Sequence, residues 1–300
     1  HHLIPLPRPG NFLSVLLLAL FCLRSTAATS DYLVTNWRTE DGLPHSSINA
    51  IVQSRDGYLW IGTFVGVVRF DGARFTRFSS ANLPQLGPGR VSRLFEDRTG
   101  TLWIGLETGR LLAWKDGVVR IFLQNSDPPN QAVVAMVQDN AGTIWLQTSS
   151  GLLGRLTSDG VEYVATTGAL PQRSSLGLLV DNAGVLWVGT KDGLKVWDGS
   201  QLAAPPGMAD TPNQPLEAFA LARDGALWTF RQKKLRKIRE GQILLEADAP
   251  AGLMSPAVEL LETADGRLWL AAHDGGLFCR TPSGEWRSVS AELGLQGNNR

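Results

Sequence analysis

Cysteine is almost absent from this chain, because only Cys22 and Cys279 occur among its 300 residues. Two cysteines are too few for the disulfide framework of a small secreted fold or for a four-ligand zinc site. We expect Cys279 to be unpaired and packed in a strand, as lone cysteines usually are. No Gly-rich phosphate loop follows a strand and opens a helix, so the sequence predicts no metal and no cofactor.

An excess of charge of one sign is also missing, since 28 basic residues balance 28 acidic ones. Without a net field, the composition argues against a nucleic-acid-binding or membrane-surface protein. Charged residues make up 19% of the chain, below the average of about 25%. Glycine and tryptophan are plentiful instead, at 32 and ten residues. Many turns and many large aromatic side chains indicate a turn-rich β protein with a large core.

Long apolar runs are missing after residue 30, and the one run before it is Phe12–Leu23. Its length is too short for a membrane-spanning helix, which needs about twenty residues. Arg8 precedes the run and the small residues 25–28 follow it, which is the layout of a secretory signal. We therefore predict a signal peptide over residues 1–28 and export of the remainder. Cys22 raises a lipoprotein alternative, which the bulky residue before it disfavours.

A repeat with steps of 41 to 43 residues runs through the rest of the chain, marked by one tryptophan in a short apolar run such as GYLWIGT or GVLWVGT. The six tryptophans are Trp60, Trp103, Trp145, Trp187, Trp228 and Trp269. One apolar segment precedes each run and two follow it, with Asp-Gly or related turns between them. Asp-Gly turns are hairpin signals, and four strands with this period are typical of a propeller blade. The sequence predicts an all-β fold, a β-propeller with six complete four-stranded blades.

One further strand is predicted at Tyr32–Trp37, ahead of the first blade. By position it is the fourth, outer strand of a blade whose first three strands are not in the sequence. Propellers close by pairing the first strand of the chain into the last blade, which removes an exposed sheet edge. We therefore expect a seventh blade with its inner strands beyond residue 300, so that the propeller over residues 29–300 is truncated.

The repeats resemble the two-component regulator propeller repeat over about residues 31 to 300, and the opening WRTEDGLPHSSINAIVQSRDGYLWIGTFVGVVRFDG is similar to the start of the first propeller in such proteins. The third unit departs from the pattern with Gln147 where glycine is usual, and the fifth with Thr229 and Phe230 after its tryptophan. The resemblance implies a periplasmic sensor propeller of a membrane-bound signalling protein, with a membrane tether and an output module downstream. That module is implied to be a histidine kinase or a diguanylate cyclase, while this chain itself is expected not to be an enzyme.

Strand alternation places the turns after the second strands, together with the long blade-to-blade connections, on one end of the propeller. Long loops on a rigid scaffold are where binding usually occurs, so this end is the candidate ligand-binding face. Its candidate residues are Phe64, Glu107, Lys191, Asp192, Arg231, His273 and Asp274. They suit an oligosaccharide or another polar ligand, or a second copy of the propeller in a homodimer. The alternative interpretation is that they are solvated loop side chains.

His45 and His273 fall on the same face. A histidine without a positioned partner is no catalytic base, and two make a poor zinc site, so we predict no catalytic residue. Two alternatives stay open: an exported lyase resembling the streptogramin-inactivating type, and a non-signalling binding or scaffold protein.

Two further charged patterns have structural explanations. Carboxylates recur beside the glycine turns and are expected to cap them, namely Asp56, Asp97, Asp139, Asp181, Asp224 and Asp265. The stretch RQKKLRKIR at 231–239 is either an anion-binding patch or an exposed strand with Leu235 and Ile238 facing inward.

Overall fold

The computed structural model describes residues 32, 34–124, 131–168, 177–206 and 216–294. Its contacts divide the chain into two compact units, His1–Thr35 and Asn36–Arg300. The predicted signal peptide at 1–28, including Cys22, lies outside the described residues and stays a prediction. All that follows concerns the second unit.

Within these ranges, twenty-four strands form six four-stranded sheets in a ring, so the predicted propeller of six blades is confirmed. Blades 1 and 2 contain β1 Ile48–Gln53, β2 Leu59–Thr63, β3 Gly66–Phe70, β4 Phe75–Phe78, β5 Val91–Glu96, β6 Leu102–Leu106, β7 Leu111–Lys115 and β8 Val118–Leu123. Blades 3 and 4 contain β9 Val133–Gln138, β10 Ile144–Thr148, β11 Leu152–Thr157, β12 Gly160–Thr166, β13 Leu178–Val180, β14 Leu186–Thr190, β15 Gly193–Trp197 and β16 Leu202–Ala203. Blades 5 and 6 contain β17 Ala218–Leu221, β18 Leu227–Arg231, β19 Lys234–Arg239, β20 Gln242–Asp248, β21 Ala257–Glu262, β22 Leu268–Ala272, β23 Leu277–Arg280 and β24 Trp286–Ser288.

Every blade is an antiparallel meander in sequence order. The first strands lie side by side between blades 1 and 2, 2 and 3, 3 and 4, and 5 and 6. The repeated tryptophans supply much of the packing between blades. Trp60, Trp103, Trp145 and Trp228 are buried, each in an apolar cluster shared with the next blade. A flat sheet can bury its apolar face only against another sheet, so these clusters hold the ring together.

In the strand predicted at Tyr32–Trp37, the described residues Val34–Trp37 have no regular secondary structure. The inner strands expected to pair with it were predicted beyond residue 300, so the seventh blade stays a prediction. A strand exists only beside a hydrogen-bonded neighbour, and none of the described strands pairs with this segment. Trp37 instead packs edge-on against Phe70 and Phe75 of blade 1, with ring centroids 4.9 and 6.2 Å away. At the other end, a short helix at Val289–Glu292 follows the last strand and was not predicted.

The recurring carboxylates do cap turns, but they occupy two different positions in the repeat. Asp97, Asp139 and Asp181 lie six residues before the blade tryptophan and bind its indole Nε1 at 2.8–2.9 Å. The other oxygen of Asp97 accepts the N–H groups of Thr99 and Thr101. One carboxylate thus ties the first hairpin turn to the interblade tryptophan. Asp56, Asp224 and Asp265 lie four residues before the tryptophan and cap the turn without this bond.

We expect Asp97→Ala to lower the free energy of unfolding by about 1–3 kcal/mol, because the buried indole N–H of Trp103 loses its acceptor. Burial alone raises the pKa of Asp97, but hydrogen bonds from Trp103, Thr99 and Thr101 outweigh it and hold the pKa below its ordinary value. The stabilisation is therefore fully present at pH values above the pKa that Asp97 has in the unfolded protein. It is lost as the pH falls through the lower pKa that Asp97 has in the folded protein. Urea unfolding at pH 7 and pH 3 checks this. The difference in the free energy of unfolding between wild type and variant should be smaller at pH 3 than at pH 7. A difference of equal size at both pH values contradicts it.

The basic stretch of blade 5 forms β19 with Leu235 and Ile238 buried, which confirms the strand interpretation. Its basic heads are paired rather than merely solvated. The ion pairs are Lys234–Asp248 at 2.6 Å, Arg236–Glu246 at 2.7 Å, Lys237–Asp224 at 2.9 Å and Arg239–Asp224 at 3.1 Å. Because acids from β20 and from the first hairpin turn of blade 5 neutralise these cations, the stretch offers little free positive charge to an anion.

Candidate functional site

The long-loop face is the end of the propeller formed by the turns after the second strands and by the blade-to-blade connections. Hydrogen bonds join these two sets of loops at blades 2, 3 and 6. Glu107 N donates to Arg90 O at 2.9 Å, Ser149 N to Ala132 O at 2.8 Å, and His273 N to Pro256 O at 3.0 Å. At these three blades the described parts of the connections are therefore anchored to the short turns, which makes this part of the face a framework for side chains.

Phe64 and Glu107 are brought together on this face by a residue that the sequence did not single out, Arg90. The guanidinium of Arg90 lies 4.5 Å from the ring centroid of Phe64, and its Nε donates to Glu107 Oε2 at 2.6 Å. His45 stacks on the Phe64 ring at 5.1 Å with an interplanar angle of 15°. We name His45, Phe64, Arg90 and Glu107 the aromatic–ionic cluster. It spans the loops of blades 1 and 2.

The aromatic–ionic cluster is accessible to a ligand. The side chains of Arg90 and Glu107 are 48% and 40% exposed, and Val65 beside Phe64 is also exposed. His45 Nδ1 accepts the N–H of Ser47 at 2.9 Å, which fixes the ring against Phe64. A planar apolar surface next to a fixed donor and a fixed acceptor is suited to binding a molecule with both apolar and hydroxyl-bearing faces.

The other predicted residues lie at later blades and in separate groups. Lys191 Nζ contacts both carboxylate oxygens of its neighbour Asp192 at 2.8 Å, so the two charges largely neutralise each other. Arg231 ends strand β18. His273 and Asp274 form the turn before β23, where Asp274 N donates to Ser255 Oγ at 3.1 Å. A hydrogen bond with Ser255 holds the pKa of Asp274 below its ordinary value.

A cavity between blades 4 and 5 was not foreseen from the sequence. It has a volume of about 540 Å³ and is mainly apolar, with Trp187, Val196, Leu221, Leu227 and Ile238 among its lining residues. Trp187 is only partly buried, unlike the tryptophans of blades 1, 2, 3 and 5. On the facing sheet, the degenerate blade 5 places Thr229 and Arg236 where blade 2 has Ile104 and Leu112. Blade 5 therefore lacks the apolar pair that blade 2 has at these two positions.

Neither a metal centre nor a membrane span is seen within the described ranges. No three or more His, Cys, Asp or Glu side chains there are grouped so that they could hold a metal ion. No helix in the same ranges is long and apolar enough to cross a membrane. Cys279 is buried in β23.

Comparison with known proteins gives one match to a family and many to structures. Residues 42–64 match the family model of the two component regulator propeller. No curated protein sequence is detectably similar to the chain. Virginiamycin B lyase from Staphylococcus aureus has a similar structure, with a TM-score of 0.64 and 18% identity, covering 81% of this chain and 83% of the lyase.

The extracellular domain of BT3049 from B. thetaiotaomicron, classed as a hybrid two component system, has a TM-score of 0.52 and 17% identity. The match covers 85% of this chain but only 41% of that domain. At such identities the two structures show a shared fold. The matched segment 42–64 is more specific, and it contains His45 and ends at Phe64 of the aromatic–ionic cluster. The chain is thus a β-propeller whose first blade carries a two component regulator propeller repeat, as the resemblance in its sequence predicted.

Proposed function

We propose that this propeller is the periplasmic, ligand-sensing part of a membrane-bound two-component signalling protein whose output module is a histidine kinase. The observation that carries the proposal is the match of residues 42–64 to the two component regulator propeller. The secretory layout of residues 1–28 supports export, and the fold shared with an extracellular domain of a two component system is consistent with that location.

The aromatic–ionic cluster is the proposed contact for the ligand, and an oligosaccharide is the proposed class. Sugar rings have apolar C–H faces that stack on aromatic rings, and hydroxyl groups at their edges. The stacked rings of His45 and Phe64 offer the aromatic surface, Arg90 donates hydrogen bonds and Glu107 accepts them. Because Arg90 already bonds to Glu107, both groups are held in place before the ligand arrives, which lowers the entropic cost of binding.

The test is transcription in the native host, with the full-length protein carrying Phe64→Ala and Glu107→Ala together. Cells are supplied with a panel of defined oligosaccharides, and transcripts are compared with those of wild type and of a complete deletion. We expect the double variant to lose, like the deletion, the response to at least one oligosaccharide. Val118→Ala, an exposed apolar truncation on an outer strand, is the matched control and should respond normally. A deletion strain that responds like wild type to the whole panel contradicts the proposal.

A lyase-type enzyme is the second candidate, since the similarity to virginiamycin B lyase covers most of both chains. A single His-to-Ala variant of that lyase, solved with quinupristin, is catalytically inactive. In this chain His45 is held by Ser47 and Phe64, which leaves His273 as the histidine to test. Incubation of the purified chain with quinupristin, followed by chromatography, decides the matter. Turnover that is lost in His273→Ala would favour the enzyme, and unchanged quinupristin would favour the sensor.

A further inference from the structure

The first strand of each blade is its innermost strand. In each first strand, one residue lies opposite the residue that follows the blade tryptophan by two positions, and these six residues form a ring around the axis. Strand pairing defines the ring, because each member lies opposite that residue of the second strand. Its members from blade 1 to blade 6 are Ala50, Arg93, Ala135, Gly177, Ala218 and Glu259. Four members are therefore small, and the two exceptions are long side chains of opposite charge. Ala135 and Ala218 are buried at this level, whereas Arg93 and Glu259 place long charged side chains there.

Arg93 is not satisfied by the protein around it. Its Nε is buried, and in the described part of the chain no acceptor lies within hydrogen-bonding distance of that atom. The preceding residue, Ser92, has a buried Oγ that likewise has no hydrogen-bond partner among the described residues. An unpartnered buried donor is costly, so the persistence of one in a native structure calls for an explanation such as a ligand.

Glu259 interacts with Arg93 although the two residues belong to blades 6 and 2. Burial raises the pKa of Glu259, and the positive charge of Arg93 partly offsets the increase. Both residues lie on innermost strands, so their charges act on each other through the region around the axis. Glu259 is exposed to solvent, so a small molecule can reach its carboxylate. The two charged groups do not form an ion pair with each other among the described contacts.

Open space exists at the same level of the ring. A Cβ atom added to Gly177 would meet no atom of the other described residues within 4 Å. By contrast, a Cβ on Gly62, in the second strand of blade 1, would lie 2.5 Å from Val91 Cγ1. The second strands are therefore tightly packed at this level, while the innermost ring has room beside Gly177.

We propose that the axial channel binds a small zwitterion of the amino-carboxylate class, with its carboxylate on Arg93 and its ammonium group on Glu259. A guanidinium binds a carboxylate through two parallel hydrogen bonds, and a carboxylate is the natural acceptor for an ammonium group. Two opposite charges held apart are complementary to a molecule that carries both charges at a fixed separation, and less so to either ion alone. This site is independent of the aromatic–ionic cluster and of any signalling role.

The test is isothermal titration calorimetry of the purified chain with glycine, β-alanine and 4-aminobutyrate, whose two charges are progressively farther apart. Acetate and methylammonium carry one charge each and serve as comparison probes. We expect saturable binding of at least one zwitterion, and binding of acetate or methylammonium at least tenfold weaker. Arg93→Ala and Glu259→Gln should each weaken zwitterion binding at least tenfold, which corresponds to about 1.4 kcal/mol.

Matched controls separate the channel from general charge effects. Arg120→Ala removes an arginine and Glu285→Gln an acid at exposed positions of outer strands or turns, and neither should alter binding. Circular dichroism of every variant establishes that it is folded. The proposal is overturned if none of the three zwitterions binds to the folded wild type. It is also overturned if Arg93→Ala and Glu259→Gln bind the zwitterion as tightly as the wild type does. These outcomes leave the sensor proposal untouched, because that proposal is measured by transcription.

Discussion

Replacing Trp103 with alanine is expected to lower the free energy of unfolding by about 3–5 kcal/mol. Trp103 is buried between blades 2 and 3, where it packs with Leu111 and Met136 and meets the ring of Phe122 edge-on at 5.1 Å. The variant loses this apolar area, leaves a cavity between two sheets and removes the donor to Asp97. Domains of this kind are stable by only about 5–15 kcal/mol, so one substitution removes a large part of the total. Urea unfolding followed by far-UV circular dichroism measures the loss.

Trp37→Ala is the matched control for Trp103→Ala, because it removes the same side chain from a site that is 46% exposed. Trp37 touches Phe70 and Phe75 edge-on but is not enclosed between two blades. We expect its loss to cost about 1 kcal/mol, which is typical of an aromatic pair. If both variants unfold at the same urea concentration, the blade tryptophans do not hold the ring together in the way described.

Gly66→Ala is also expected to have a large effect. It should lower the free energy of unfolding by about 2–5 kcal/mol, through backbone strain and overpacking together. Gly66 opens β3 with φ near +147°, a conformation that residues with a side chain rarely adopt. An added Cβ would also lie 2.3 Å from the backbone oxygen of Phe78 in the neighbouring strand β4. Neither atom can move without breaking the pairing of Val67 with Phe78. The unfolding midpoint in urea should therefore fall sharply.

Gly72→Ala separates strain from collision within the same blade. Gly72 also has a positive φ, near +100°, but an added Cβ there would meet nothing within 4 Å. Only the strain remains, so we expect a loss of about 1–2 kcal/mol. A loss equal to that of Gly66→Ala would mean that the contact with Phe78 does not matter.

The repeat could be read from the sequence because its signals are local. A tryptophan every 41 to 43 residues and a glycine turn on either side define strands and hairpins without knowledge of any distant residue. All six blades follow from this pattern, including blade 5, where Thr229 and Phe230 replace the usual residues after Trp228. The strand predicted at Tyr32–Trp37 stays a prediction, because an apolar segment becomes a strand only beside another strand and its predicted partners lie beyond residue 300.

Contacts between blades were harder to predict, because they depend on which loops face one another. Phe64 and Glu107 were chosen from the turns alone, but Arg90, which joins them, lies in a connection with no repeated pattern. Trp228 similarly bonds to Glu262 of the next blade, at 2.7 Å, because its own blade has Ala222 where blades 2, 3 and 4 have the capping carboxylate. Spacing can suggest such residues only after the strand register is known.

The charged pair of the axial channel illustrates the same limit. Arg93 and Glu259 are 166 positions apart in the sequence. Taken alone, each resembles an ordinary strand residue. Their equivalence emerges when strand pairing aligns them with Ala50, Ala135 and Ala218. In a repeat fold, equivalent positions in different blades can therefore be compared with one another. A residue that differs from its counterparts in the other blades is a candidate for function.

The most direct test of the sensor proposal is to read the gene past the codon for Arg300. The proposal predicts an open frame that encodes three more strands with another LWIGT-like run. A membrane helix and a histidine kinase module should follow in the same frame. A frame that stops without a membrane helix or an output module would contradict the proposal and leave a free exported binding protein or enzyme.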